Sequence, residues 1–166
     1  QTSALTTTQV SKIEAADLAV LKTSIIQALS TAHIAQLTTD QIGALSTAQA
    51  AALTAEQLAA IAPAKIDDMQ VADLAALRTS QLYGFTTDQV AALTTSQVAG
   101  MTSTQISKLS VEQIDALSTA QLVALTTAQA AALTATQVAG LTTSDLATLE
   151  TRDVAALTTS AVRALS

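Results

Sequence analysis

FTTDQVAALTTSQVAG (residues 85–100) contains one eight-residue unit twice, and LTATQVAG (133–140) is a third copy of it. Working outward from these copies, the chain divides into twenty octads between Leu5 and Ala164, without one insertion or deletion. The consensus is L-T-T-x-Q-V-A-A. Position 1 is Leu, Ile, Met or Phe in all twenty octads, and position 6 is Val, Ile or Leu in all but two, where Ala50 and Ala130 stand. Position 5 is Gln in twelve octads and Asp in four. Such strict phase means that every octad occupies an equivalent place in the fold.

The period excludes one long helix. At 100° per residue, eight residues overshoot two turns by about 80°. A leucine stripe would wind around the rod and face no single partner. A mean apolar spacing of about four residues also lies outside the coiled-coil range. The helix must break in every octad, and the sequence says where. Position 2 is Ser or Thr in fourteen octads, and position 5 is usually Gln. The resulting S/T-x-x-Q is a capping box, in which the hydroxyl accepts from the N–H three residues on and the Gln side chain accepts from the cap's own N–H.

Two features agree with this register. The single proline, Pro63, falls at position 3, the first helical residue, where proline is favoured. Ten of the thirteen acidic residues fall at positions 2, 4 or 5, near the helix N-terminus, where the dipole favours negative charge. Each helix is therefore expected to run from about position 3 to the next position 1. Alanine at positions 7 and 8 is expected to let helices approach closely. Gly84, Gly100 and Gly140 at position 8 are expected where a helix ends easily.

One octad cannot stand alone. Burying its Leu and Val stabilises it by about 3–6 kcal/mol, whereas ordering eight residues of backbone costs about 8–16 kcal/mol. Stability must come from stacking on neighbours. The fold class expected is all-α: a solenoid of about twenty eight-residue repeats, each one short capped helix plus a tight turn. It forms a single continuous array over residues 1–166, with complete octads at 5–164. Neither end carries an atypical polar repeat, so the chain is expected to be an excerpt of a longer array. A weak preference for three or four octads per turn follows from the lack of a sixteen-residue alternation.

Composition narrows the function. There is no Cys, which excludes thiol nucleophiles and thiolate metal sites. Scarce glycine, and no Asn, argue against a β-solenoid. A net charge of −6 with seven scattered basic residues excludes phosphate-backbone recognition, so no nucleic-acid partner is expected. No apolar run is long enough to span a membrane, and no signal peptide is expected at the start of this sequence.

Few residues qualify as candidate sites. His33, the single histidine, stands in the Gln slot and reads as a polar first-turn residue; a lone His builds neither a triad nor a metal centre. Asp67, Asp68 and Asp73 form the densest acidic group and read as a solvated face, because no calcium-binding loop surrounds them. Phe85 fills the core slot of position 1. Tyr83 stands where Ala is usual and is a candidate for exposure. Position 2 lacks a hydroxyl in three successive octads, at Ala62, Gln70 and Arg78, which reads as drift compensated by packing, or else as a soft point. A partner-binding patch, if the chain carries one, is expected at Tyr83 and the Asp67, Asp68, Asp73, Arg78 stretch. No catalytic residue, cofactor or metal is expected.

The gapless pattern L-T-T-x-Q-[VI]-x-A resembles the short Thr/Gln/Ala-rich octapeptide repeats of large bacterial surface and secreted proteins described as adhesin-like. The resemblance covers essentially the whole chain and implies an extracellular stalk, fibre or filament-forming segment, with no catalytic residues to carry over. Open ends would let copies associate end to end. The alternative is a solenoid scaffold for a protein or glycan partner; an ice-binding threonine face is the least favoured reading.

Overall fold

The computed structural model describes residues 5–165. Each octad carries one helical segment: nineteen short α-helices and, in the eighth octad, a 3-10 turn over Pro63–Lys65. We number octads from Leu5, so that octad 9 is 69–76 and octad 20 is 157–164.

The break between helices is built as the capping box predicts. In octad 12 the Thr94 side chain accepts from Gln97 N–H at 3.1 Å, and Gln97 Oε1 accepts from Thr94 N–H at 2.7 Å. The helices are shorter than expected, typically ending at position 7 or 8, as in Thr87–Ala92 and Thr95–Gly100. Position 1 is left outside the helix because it must turn the chain. Leu93 and Thr94 are both extended, at φ −59°, ψ 141° and φ −72°, ψ 159°. Two extended residues make the corner. Among the described residues none has positive φ, glycines included, which is how the fold dispenses with Asn and nearly dispenses with Gly.

Helices pack against those three octads away: Thr47–Ala52 against Val71–Ala76, Ser103–Lys108 against Thr127–Ala132, and Thr127–Ala132 against Thr151–Ala156. One superhelical turn thus takes between three and four octads. Most side chains at positions 1 and 6 line its interior as one continuous apolar core, from Val10, Leu18 and Ile26 through Leu58 to Leu157; Val154 and Val162, in the last two octads, are exposed.

The glycines stand at helix ends as expected, Gly100 and Gly140 being the last residues of theirs, but they also have a second role. Gly84 and Gly100 are not left-handed helix ends. A Cβ on Gly84 would collide with the backbone of Ala55, and one on Gly100 or Gly140 would meet Val71 or Val111. Each collision partner belongs to the helix three octads earlier. Glycine at position 8 is therefore a close-approach residue between successive turns.

Candidate functional site

The most organised polar feature is a ladder of buried glutamines. The capping box uses only the Oε1 of each Gln. The Nε2 group remains, and it points into the preceding turn. Gln105 Nε2 donates to Leu74 O at 2.7 Å and to Leu77 O at 2.8 Å. Gln113 donates to Leu82 O and Phe85 O at 2.9 and 2.7 Å, and Gln137 to Ile106 O and Leu109 O at 2.9 and 2.8 Å. The acceptors lie 31 and 28 residues earlier in each case. The first stands in the last turn of a helix and also accepts from the N–H three residues on, as Leu74 O does from Leu77 N–H at 3.1 Å; the second, at position 1, lies just beyond the helix end. One side chain therefore closes the N-terminus of its own helix and the C-terminus of another, one turn away. From Gln41 to Gln137 these side chains are buried, so each bond is shielded from water and each loss would leave orphaned groups.

Two other residue types do the same work. His33 Nδ1 accepts from Ser30 N–H at 3.2 Å, and Nε2 lies 2.9 Å from Leu5 O. A carbonyl can only accept, so it is Nε2 that donates. His33 is thus more than a polar first-turn residue: it is a rung. Lys65 Nζ donates to Leu37 O at 2.6 Å and Ala35 O at 3.3 Å, and takes the rung of octad 8.

The sequence held a signal for this. A capping box accepts Glu as readily as Gln, yet no octad has Glu at position 5. Glutamate would supply the Oε1 acceptor but not the amide donor. Although four octads carry Asp there, the choice of Gln over Glu in twelve marks a second duty for the side chain in most of the array.

Of the residues expected in a partner-binding patch, four are exposed and one is buried. Asp67 and Asp68 are exposed on octad 8, and Arg78 is exposed at the start of octad 10. Asp73 is buried, with 2% of its surface accessible, which corrects its place in a solvated acidic face. It stands at position 5, and that position faces inward through most of the array. Burial raises its carboxyl from the ordinary value, against hydrogen bonds from Thr47 and the Gln70 backbone. Tyr83 is 71% exposed beside a shallow groove lined by Ala55, Glu56, Ala59, Gly84, Phe85 and Thr86. None of the four charged candidates lines that groove. Phe85 is buried in the core, as expected. Of the three successive octads without a hydroxyl cap, that of Ala62 holds the 3-10 turn, and in the next Gln70 instead donates to Gly43 O at 2.9 Å.

Among the described residues no group of three or more His, Cys, Asp or Glu side chains is placed to hold a metal ion, and no helix is long and apolar enough to cross a membrane. A family model described as the ALTTAQ repeat matches residues 10–47, 66–103, 99–127 and 106–143, which is well over half of the chain. No curated protein and no solved structure matches it.

Proposed function

We propose that this chain, which belongs to the ALTTAQ repeat family, is a non-catalytic structural segment: a stiff spacer or fibre-forming stretch of a bacterial surface or secreted protein. The observation that carries the reading is the glutamine ladder. The most buried polar side chains of the array are devoted to joining one turn to the next, as in Gln89, Gln97 and Gln121. Cohesion of this kind is repeated along the chain instead of being gathered at one place, which suits a rod whose property is its length. Surface placement is supported by the resemblance of the repeat to those of bacterial surface and secreted proteins.

End-to-end association of copies belongs to the same reading.

A binding scaffold is the second reading, favoured by one observation, the exposed Tyr83 beside its groove. Small-angle scattering and electron microscopy of the purified chain, over a range of concentrations, test the first. Rods that lengthen in proportion as octads are added support a spacer, and filaments of constant width at high concentration add end-to-end assembly. Compact particles overturn it. Saturable binding on a glycan or protein array that is lost in Tyr83→Ala would move the conclusion to the scaffold.

A further inference from the structure

Two buried rungs of the ladder hold a carboxyl group where the amide should be. Asp73 and Asp153 both stand at position 5, both are buried, and each has an Oδ2 without a hydrogen-bond partner. Their surroundings are alike. Asp153 Oδ1 accepts from Thr127 Oγ1 at 2.8 Å, and Thr47, at the same offset from Asp73, is hydrogen-bonded to it. The helices beneath them, Thr47–Ala52 and Thr127–Ala132, are also the two with Ala at position 6, Ala50 and Ala130. A buried aspartate in the rung thus goes with a slimmer helix below it, in two places ten octads apart.

The chemistry of the slot demands a donor. A Gln at 73 would direct its amide to Ile42 O and Leu45 O, by the spacing that the Gln rungs keep. An ionised carboxylate there accepts from the Thr47 hydroxyl and the Gln70 N–H, but it has no hydrogen to give to those carbonyls, and its Oδ2 is left without a partner. A neutral carboxyl has one O–H to give.

We infer that Asp73 is a proton-operated clasp: its carboxyl, when protonated, donates from Oδ2 to the helix-end carbonyls of the turn below, and when ionised it loosens octad 9. The proton comes from solvent and no bond other than O–H forms or breaks. The upward push that burial gives the carboxyl agrees with this. No compensating cation is packed on it. The helices against Val71–Ala76 are Thr47–Ala52 and Thr95–Gly100, and neither contains a titratable residue. The charged groups nearest in the chain, Asp67, Asp68 and Arg78, are exposed, as is Asp40 on the helix preceding Thr47–Ala52. Asp153 differs in having Arg152 Nε 3.5 Å from its Oδ1, so the inference is confined to Asp73. The clasp sits beside the least regular part of the array, the 3-10 turn at Pro63–Lys65 and the uncapped helix at Gln70, where one lost contact has most effect.

The sign follows from linkage. A carboxyl raised in the folded state contributes stability that is fully present below its unfolded value and is lost as pH rises through the folded one. The test is a comparison of the full chain with Asp73→Asn and Asp73→Gln, using amide exchange over residues 69–77, corrected for intrinsic rates, and a carbon-13 titration of the aspartate carboxyls. The ratio of opening constants, wild type to variant, should fall by up to about tenfold per pH unit as the solution is acidified through the transition. Asp73 should titrate above the other aspartates. Both variants at neutral pH should resemble the wild type in acid. Parallel pH profiles for all three proteins, or Asp73 titrating with the rest, would overturn the clasp. So would stabilisation of the wild type alone by added sodium, potassium or calcium at neutral pH, because Oδ2 would then hold a metal ion instead of a proton.

Discussion

Gln105 Nε2 lies 2.8 Å from the carbonyl oxygen of Leu77, 28 residues earlier and one superhelical turn away. The same side chain accepts from Thr102 N–H at 2.8 Å through Oε1. Gln105→Met keeps the length of the side chain and removes both functions, leaving buried backbone groups without partners. At about 1 kcal/mol for each bond lost, it should destabilise the array by about 3 kcal/mol in denaturant titration. Gln105→Glu should cost more at neutral pH, since it keeps the acceptor and sets a charge against carbonyls, and should recover part of the loss in acid. Equal stability of wild type and Gln105→Met would mean that the ladder does not hold the turns together.

Ala161 occupies the rung of octad 20 and is fully buried. Asp145 and Asp153 precede it at the same position, so three successive rungs lack an amide. This turn should therefore be the first to open. Ala161→Gln would reach Ala130 O and Leu133 O and should stabilise residues 157–165 by about 1–2 kcal/mol. Hydrogen exchange there should slow accordingly, and unchanged exchange would show that the slot does not admit the side chain.

Gly84→Ala should destabilise by about 1–3 kcal/mol, because its new methyl meets the Ala55 backbone, which cannot rotate away. Gly43→Ala meets only Asp68 O, at 3.2 Å, and should be close to neutral. Thermal unfolding of the pair separates close approach from any general effect of removing glycine.

Glu56 and Glu112, both exposed at position 4, are held below the ordinary carboxylate value. Their own backbone N–H groups are the larger cause, and the hydroxyls of Thr54 and Ser110 add to it. A lowered folded value gives stability that is present above the unfolded value and lost as pH falls through the folded one. The double variant Glu56→Gln, Glu112→Gln should thus melt below the wild type at neutral pH, with the gap closing as the solution is acidified below the ordinary carboxylate range. This runs opposite to the effect of Asp73. A gap that stays constant with pH would remove the carboxylates as its cause.

Much of this architecture was legible in the residues. The octad period forbade a continuous helix, Thr94 and Gln97 marked the break by their spacing, and Pro63 confirmed its place. These are local effects, decided by atoms within one helical turn of each other, so a linear reading reaches them. The inside of the solenoid was legible as well, since positions 1 and 6 are apolar in every octad. The rungs were not. Whether Gln105 meets Leu77 depends on the curvature of the whole superhelix, which brings residues 28 and 31 places apart into hydrogen-bond range. For the same reason Asp73 read as part of a solvated acidic group and His33 as an ordinary polar residue. The sequence alone determined where each helix starts, roughly where it stops and which face it buries, because capping and burial act over a few residues. Only the tertiary structure decided what lies beneath each position 5, because helix-end carbonyls find their donors across a turn and not along the chain.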